Sequence, residues 1–381
     1  MNLSLPMPTW AFMTTKVWKS VTVRRSVLIC GLLCGSLCVW RADAQDDSSQ
    51  LGLPPLAGPT ANLSSAASVS LGKKLFFDKR LSHDGTMSCA SCHQPERSFS
   101  DGLALAKGIG QRPGTRNTPS LLNVAFNQSQ FWDGRRPDLE SQALDPFVNP
   151  REHGLHDETA LIDILRRDGE YLAEFHNAFT GSRNPISIVN VARALASFER
   201  TLLAGNSAFD RYAFKGEKAA LSPAAERGLA LFQEGARCAS CHTIEKTHAL
   251  FSDNQFHSLS VGLRRLSPVL ARITTRLVRA KEGGASLDQT VLGDEDIAEL
   301  GRFAVTFNPA DIAKFRTPSL RNVAETAPCI HDGSVATLEE AVELELYYRN
   351  TQAARPLVLT PRERADLVEF LKSLSSPPLT R

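Results

Sequence analysis

The pattern Cys-x-x-Cys-His occurs twice in this 381-residue chain, at residues 89–93 and 238–242, with Ala-Ser between the cysteines each time. The pattern is typical of c-type haem attachment, because two thiols one helical turn apart can form thioethers to the vinyl groups of one porphyrin. The adjacent histidine is then held beneath the iron as its proximal ligand. The sequence therefore predicts two covalently bound haem c groups, held by Cys89, Cys92 and His93 and by Cys238, Cys241 and His242.

Three other uses of paired cysteines fit this pattern less well. A four-cysteine zinc site usually separates its two pairs by about 15–20 residues, whereas these pairs lie about 150 residues apart. A thioredoxin-like redox pair needs no histidine after its second cysteine, let alone twice, and structural disulfides are the third alternative. Cys329 is left as an odd thiol, for which we expect the role of a small buried apolar side chain.

The first 44 residues read as an export signal. Four basic residues precede a 15-residue apolar stretch, and Ala-Asp-Ala at residues 42–44 is a small-x-small cleavage site. We predict a signal peptide over residues 1–44 and a periplasmic location, with an uncleaved anchor as the alternative. Residues 45–65 are rich in Pro, Gly and polar residues without periodicity, which predicts a flexible lead-in.

The charge balance excludes some classes of partner. The full chain has a formal net charge of +2, and removal of a leader with five basic residues and one acidic residue leaves −2. No basic field for nucleic acid is present. No apolar run past residue 44 approaches the ~20 residues that span a bilayer, so we expect no membrane span in the mature chain.

The chain also repeats itself outside the haem motifs. Residues 118–125 (TPSLLNVA) parallel residues 317–324 (TPSLRNVA), and nine residues past the matching asparagines stand Trp132-Asp-Gly and His331-Asp-Gly. Trp132 thus occupies the repeat position of His331. Equivalent turns of two pseudo-symmetric domains would meet at one interface.

The fold class follows from the repeat and from helical periodicity. Apolar residues recur at three- and four-residue steps between residues 186 and 202, and no sustained alternation argues for a sheet. We predict a mostly α fold of two cytochrome c-like haem domains with long loops, at residues 66–215 and 216–381.

The second predicted haem lacks the usual sixth ligand of an electron carrier. No methionine follows Met87, although methionine is the ligand that raises the potential of many c-type cytochromes. Tyrosinate is an anionic oxygen donor, as in catalase. The candidates downstream of the second haem motif are His248, His257, His331, Cys329, Glu345, Tyr347 and Tyr348.

Residues that suit peroxide chemistry follow the first haem motif. Glu152 could move a proton between the two oxygens of peroxide during cleavage. Gln142 could hold a bound oxygen by hydrogen bonding, and Pro146 lies between them in the sequence.

Four segments carry a resemblance to a known family. They read LFFDKRLSHDGTMSCASCH, NTPSLLNVAFNQSQFWDGR, RALASFERTLLAGNSAFDRY and FRTPSLRNVAETAPCIHDGSVATLEEAV. The chain resembles the bacterial dihaem cytochrome c peroxidase/MauG family over about residues 68–375. The resemblance implies a peroxidatic N-terminal haem and an electron-transfer C-terminal haem. It also implies that Glu152 is catalytic with Gln142 and Pro146 beside it, and that Trp132 relays electrons between the haems.

The resemblance implies one calcium ion between the domains. Its ligands would be oxygens of Asn117, Thr326 and Pro328, which are the hard donors that calcium prefers.

The sequence departs from the family pattern at both irons. Relatives that need reductive activation carry a blocking histidine at the position of Ile109, so we predict an open, five-coordinate first haem. His83 and His153 are the alternatives that could intrude on it. At the second haem the usual ligand position holds Glu345, but the family's Tyr-x-Arg ending favours Tyr347, then Tyr348, then Glu345.

Three functions are carried forward. The first is a peroxidase-type oxidoreductase that reduces hydrogen peroxide to water, with electrons passed from the C-terminal haem to the open N-terminal haem. Its donor would be a small redox protein, such as a cytochrome c or a cupredoxin, or quinol. The second is a MauG-like enzyme that oxidises Trp or Tyr side chains of a partner protein through a high-valent dihaem state. The third is a non-catalytic electron carrier. The resemblance leaves a homodimer open.

Overall fold

The computed structural model describes residues 50–56, 62, 64–352 and 356–379. The predicted signal peptide and most of the predicted lead-in lie outside the described residues. Residues 46–381 form one compact unit. The two predicted domain ranges within that unit stay a prediction.

The described chain is mostly helical, as the sequence predicts. The helices of the N-terminal half are α1 (Ala66–Phe77), α2 (Cys89–Cys92), α3 (Leu139–Gln142), α4 (Asp145–Val148), α5 (Glu158–Arg166), α6 (Gly169–Ala178), α7 (Ile188–Glu199) and α8 (Ala208–Phe214). The later helices are α9 (Pro223–Ala230), α10 (Leu263–Leu266), α11 (Leu270–Glu282), α12 (Leu287–Gly293), α13 (Glu295–Ala298), α14 (Phe303–Thr306), α15 (Leu338–Gln352) and α16 (Pro361–Lys372). Two short strands, β1 (Phe256–His257) and β2 (Phe315–Arg316), pair antiparallel and are the only strands in the described part of the chain.

Each half is built on one pair of crossing helices. In the first half α1 crosses α7 at Gly72, where an added Cβ would meet the carbonyl oxygen of Ala194. In the second half α9 crosses α16 at Gly228, where an added Cβ would meet the carbonyl oxygen of Asp366. A glycine at each crossing lets the two backbones approach closely. The two helix pairs are thus packed in the same way, with a glycine at the point where the backbones approach most closely.

The apolar core follows these crossings. One buried cluster runs from Leu71 to Leu202 and includes Phe76 and Phe198, and a second runs from Phe209 to Leu374 and includes Phe232 and Phe370. A third cluster lies within α10–α14. The first two clusters surround the regions that hold the two haem motifs.

The segment between β1 and β2 covers part of the N-terminal half. Its helix α12 supplies Asp288, which forms ion pairs with Arg135 at 2.6 Å and Arg136 at 2.5 Å. The carbonyl oxygen of Val291 accepts a 3.3 Å hydrogen bond from the Thr115 hydroxyl. No sequence pattern singled out this segment, because its role depends on contacts far away in the chain.

Part of the predicted flexible lead-in is anchored instead. The Leu51 carbonyl accepts from the Asn206 amide at 2.9 Å, and the Gly52 carbonyl accepts from the Ala249 amide at 3.0 Å. The Gly52 carbonyl also accepts from the buried Arg321 guanidinium at 2.6 Å. The composition of this stretch gave no sign of these backbone bonds, which tie it to the C-terminal half. None of the described helices is long and apolar enough to cross a membrane.

Candidate active site

The first cavity contains the first Cys-x-x-Cys-His motif. Helix α2 presents Cys89 and Cys92 to it, and the His93 amide donates to the Cys89 carbonyl at 2.9 Å. The imidazole Nδ1 of His93 lies 3.0 Å from the Phe99 carbonyl oxygen. That carbonyl can only accept, so the proton sits on Nδ1 and the Nε2 lone pair is free for a metal.

The second cavity repeats this arrangement. Cys238, Cys241 and His242 line it, and the His242 amide donates to the Cys238 carbonyl at 2.9 Å. Its Nδ1 lies 2.8 Å from the Phe251 carbonyl oxygen. Burial lowers the pKa of both His93 and His242, which favours the neutral imidazole that binds iron.

The donor chemistry of both cavities fits haem. They contain about 1360 Å³ and about 1300 Å³ of empty space, part of which is open to solvent. The four motif cysteines are free thiols, so neither pair is used up in a disulfide. Most of the surface that faces each cavity is apolar, as a porphyrin face requires.

The residues predicted for peroxide chemistry meet in the first cavity. Gln142, Pro146 and Glu152 all line it together with His93. Helices α3 and α4 and the turn after α4 carry them there, although ten residues separate Gln142 from Glu152.

The half-buried Glu152 side chain lines the first cavity, and one hydrogen bond orients its carboxyl. Its Oε1 accepts a 2.8 Å hydrogen bond from Asn149 Nδ2. Burial raises the pKa of Glu152 above its usual range, against the opposing effect of the nearby Arg135 cation. A raised pKa makes the carboxylate a stronger base, which suits proton transfer.

Ile109, His153 and His83 are the residues that bear on whether the first cavity is open. Ile109 is buried, and its amide donates to the Glu152 carbonyl at 3.0 Å. His153 lines the cavity, but its Nδ1 lies 3.3 Å from the Leu81 carbonyl and its ring packs edge-on against Phe147. Burial lowers the pKa of His153 to about 4. His83 lies outside the cavity lining.

The structure departs from our sequence preference at the second cavity. One face of α15 lines it, through Leu338, Ala341, Val342, Glu345, Leu346 and Arg349. Tyr347 lies outside this lining and is 58 % exposed, and Tyr348 also lies outside it. Because an α-helix turns about 100° per residue, a position two residues from Glu345 points to a different side. Of the three preferred candidates, only Glu345 faces the cavity.

Other candidates for the second iron have different surroundings. His257 lines the cavity, and its Nε2 lies 2.7 Å from an Asp253 oxygen. His331 also lines it, but its Nε2 lies 3.0 Å from a buried Glu299 oxygen. Cys329 lines it too, and burial raises the pKa of its thiol. His248 lies outside the lining.

Trp132 lines both cavities. Its indole Nε1 donates to the Asn117 carbonyl at 3.0 Å, and its own carbonyl accepts from the Arg316 amide at 2.8 Å. The matching bond runs from the Asn117 amide to the His331 carbonyl at 2.9 Å. The two turns that the sequence paired therefore meet side by side, and the Trp132 and His331 rings lie 6.5 Å apart.

Sequence reasoning missed several charged residues that line the cavities. Among them, Arg316 lines both cavities, and Arg116 and Glu199 line the first. Burial raises the pKa of Glu199 to about 8, which favours the neutral carboxyl. Arg316 stands immediately before one copy of the repeated Thr-Pro-Ser-Leu, and Arg116 stands two residues before the other copy. This position next to the repeat was the one signal in the sequence.

The predicted calcium ligands are partly placed. Asn117 is buried, and its Nδ2 donates to the Leu103 carbonyl at 2.8 Å, which leaves the side-chain oxygen for a cation. The Thr326 hydroxyl donates to the Val323 carbonyl at 3.3 Å, and Pro328 follows a cis peptide bond. The calcium site stays a prediction.

Comparison with known proteins gives a consistent result. Residues 66–219 match the family model described as di-haem cytochrome c peroxidase. The chain is 35 % identical to the methylamine utilization protein MauG of Methylorubrum extorquens, over 94 % of this chain and 95 % of that protein. It is 36 % identical to the cytochrome-c peroxidase IdrP1 of Pseudomonas sp. strain SCT, over 86 % of each chain.

A solved structure shares the fold. It is a MauG-like protein associated with microbial copper homeostasis, with a TM-score of 0.68 and 30 % sequence identity. The similarity covers 88 % of this chain and 96 % of that one.

Proposed function

Because the chain belongs to the di-haem cytochrome c peroxidase family, which includes MauG, we propose that it reduces hydrogen peroxide to water in the first cavity. Membership of this family makes the chain a peroxidase-type oxidoreductase. The observation that carries the proposal is the convergence of Glu152, Gln142 and His93 on one cavity, next to a tryptophan shared with the second. The balanced reaction is H2O2 + 2 H+ + 2 e− → 2 H2O.

Each motif would hold one covalently attached haem c. Cys89 and Cys92 would form the thioethers of the first, with His93 as the proximal ligand, and Cys238, Cys241 and His242 would hold the second. The carbonyl partners of the two Nδ1 atoms support this assignment, because they present Nε2 to the cavity. When bound, the first haem supplies the iron that takes peroxide, and the second supplies a relay for electrons.

Glu152 would transfer the proton during cleavage of the peroxide bond. As a carboxylate it would accept a proton from one oxygen of hydrogen peroxide and return it to the other oxygen, which would leave as water. The Asn149 bond holds one carboxyl oxygen in place at 2.8 Å. Gln142 would donate a hydrogen bond to the bound oxygen, and Pro146 would keep water from that side of the cavity. Further protons are taken from solvent.

Trp132 would carry electrons between the two sites. Its ring lines both cavities, and its indole N–H and carbonyl are fixed by Asn117 and Arg316. Electrons would enter at the second site from a small redox protein, such as a cytochrome c or a cupredoxin, or from quinol.

The first site would be open without activation. Ile109 stands where activated relatives carry a blocking histidine, and its apolar side chain cannot bind iron. Apart from the proximal His93, His153 is the one histidine in the lining among the described residues. Its hydrogen bond to Leu81 and its packing on Phe147 support a fixed role in the wall.

At the second site we propose Glu345 in place of Tyr347 as the sixth ligand. Glu345 lines the cavity of His242, and its Oε2 lies 3.3 Å from Arg349 Nε, which leaves Oε1 for a metal. A carboxylate is an anionic oxygen donor like tyrosinate, so it would favour the oxidised iron.

A second candidate function is oxidation of Trp or Tyr side chains on a partner protein. Ile109 at the activation position and the similarity to MauG over 94 % of the chain favour it. The same Glu152 and Trp132 would serve both reactions. The protein substrate would then approach the second site instead of a small electron donor.

We also propose that the chain is two copies of one haem-binding unit, at residues 66–215 and 216–381. The paired glycine crossings and the reciprocal backbone bonds at Trp132 and His331 support the repeat. A signal peptide over residues 1–44, a periplasmic location and calcium at Asn117, Thr326 and Pro328 complete the proposal.

Steady-state kinetics tests the proposed function. The purified two-haem protein should consume peroxide with reduced cytochrome c or a reduced cupredoxin as donor. A negligible rate with every small donor, together with a rapid optical response to peroxide, would favour oxidation of a protein substrate instead.

A further inference from the structure

Arg316 is a buried arginine that lines both cavities. Arg316 belongs to β2, which pairs with β1, and it is 7 % exposed. Its amide donates to the Trp132 carbonyl at 2.8 Å. The backbone of Arg316 is therefore bonded to that of Trp132, and both residues line both cavities.

This guanidinium has no carboxylate partner within the described residues. Nη1 donates to the Asn127 side-chain oxygen at 3.2 Å and to the Thr317 carbonyl at 3.4 Å, and Nε is buried without any partner. Burial lowers the pKa of Arg316 to about 10. A buried cation without a counter-charge is costly, so an anion is expected nearby when the cavities are filled.

The other buried arginines of this region show the contrast. Arg135 is paired with Asp133 and Asp288, and Arg321 is paired with Asp210 at 2.8 Å. Arg116 is the exception that matches Arg316, since its Nε and Nη1 are buried without partners and it lines the first cavity. Arg200 also has one buried Nη1 without a partner, but it lies outside both linings and is paired with Glu140 at 2.8 Å. Among the described residues, Arg116 and Arg316 are the cavity-lining arginines whose buried N–H groups lack a partner.

Resting on the proposed binding of two haems, we propose that Arg316 binds haem propionate and is shared by the two sites as a charge-setting residue. Its N–H groups donate to the carboxylate, and the bidentate fork of arginine suits that geometry. One cation beside both irons opposes the extra positive charge of each ferric state. It therefore raises the reduction potential of both haems together.

Redox titration of the holoprotein tests this proposal with Arg316→Gln and Arg316→Lys. Arg316→Gln should shift the ferric/ferrous equilibrium of both haems toward ferric by at least about tenfold, which is about 59 mV for one electron. Arg316→Lys keeps the charge and should retain most of both potentials. Arg227→Gln, which removes an arginine paired with Asp366 at the surface, is the matched control and should leave both potentials unchanged.

The outcomes separate this proposal from the proposed function. Mass spectrometry first counts haems per chain, and wild type without two haems would defeat the proposed function itself. A two-haem Arg316→Gln protein with both potentials like those of the control would overturn the role of Arg316. A shift at one haem alone would overturn its sharing. If Arg316→Gln fails to fold, resonance Raman decides: unchanged propionate bending modes between wild type and Arg316→Lys would overturn the contact.

Discussion

The amide of Arg316 donates a 2.8 Å hydrogen bond to the carbonyl oxygen of Trp132, and both residues line both cavities. The reciprocal bond joins the Asn117 amide to the His331 carbonyl at 2.9 Å. These two bonds hold the paired turns of the two halves against each other. Trp132 is thereby fixed where it lines both cavities, at the position of the proposed electron relay.

Replacement of Trp132 by Phe should slow electron transfer from the second site to the first. The smaller ring removes the bond to Asn117 and part of the contact between the cavities. Stopped-flow mixing of peroxide with the reduced protein would follow the reoxidation of the second haem. Binding of a small ligand at the first haem is the internal control and should not change. Reoxidation as fast as in wild type would contradict a relay through Trp132.

Glu152→Gln should slow peroxide cleavage by roughly 100- to 10,000-fold, because the amide cannot accept a proton. The ferric spectrum should stay nearly unchanged, since Glu152 is not an iron ligand in this account. Asn149→Ala should have a smaller effect, as it removes only the bond that orients the carboxyl.

The pH dependence should follow the same group. Cleavage needs the carboxylate form, so the wild-type rate should fall as the pH drops through the pKa of Glu152. Since burial raises that pKa, the fall should begin above the ordinary range of a glutamate. A wild-type profile that stays flat down to acidic pH would argue against Glu152 as the base.

Substitutions on α15 should distinguish its two faces. Glu345→Gln should change the optical and EPR spectra of the second haem, because it removes the proposed oxygen ligand. Tyr347→Phe is the matched control and should leave those spectra unchanged, since Tyr347 is 58 % exposed outside the cavity. The reverse result would identify Tyr347, instead of Glu345, as the ligand of the second iron.

Helix α15 shows the limit of what the sequence alone could predict. The two haem motifs and the spacing of Gln142, Pro146 and Glu152 are local or family patterns, and the structure brings those residues into one cavity. The usual ligand position and the Tyr-x-Arg ending point to different residues of α15, and only the helix phase separates Glu345 from Tyr347. That phase depends on which face packs on the core.

Other features depend on contacts between distant parts of the chain. Arg316 has no carboxylate partner in the described part of the chain because of its three-dimensional surroundings, and the Thr-Pro-Ser-Leu repeat does not encode this property. The anchoring of Leu51 and Gly52 likewise rests on backbone bonds to residues more than 150 positions away. Asp288 reaches Arg135 and Arg136 in the same manner. A single sequence contains no local pattern for such pairs.

The helix crossings give a prediction for stability. Gly72→Ala should lower the free energy of unfolding by about 1–3 kcal/mol, because the new Cβ would press on the Ala194 carbonyl. Gly169→Ala is the matched control, since nothing lies within 4 Å of its added Cβ, and it should be neutral or slightly stabilising. Chemical denaturation of the two variants measures both effects. Equal stabilities would show that the crossing can relax.

Addition of hydrogen peroxide to the resting ferric two-haem protein, followed optically, tests the central claim most directly. An open first site with Ile109 at the activation position predicts an immediate spectral change without prior reduction. Glu152→Gln protein should lose most of that response. A wild-type protein that stays silent until one haem has been reduced would contradict the account.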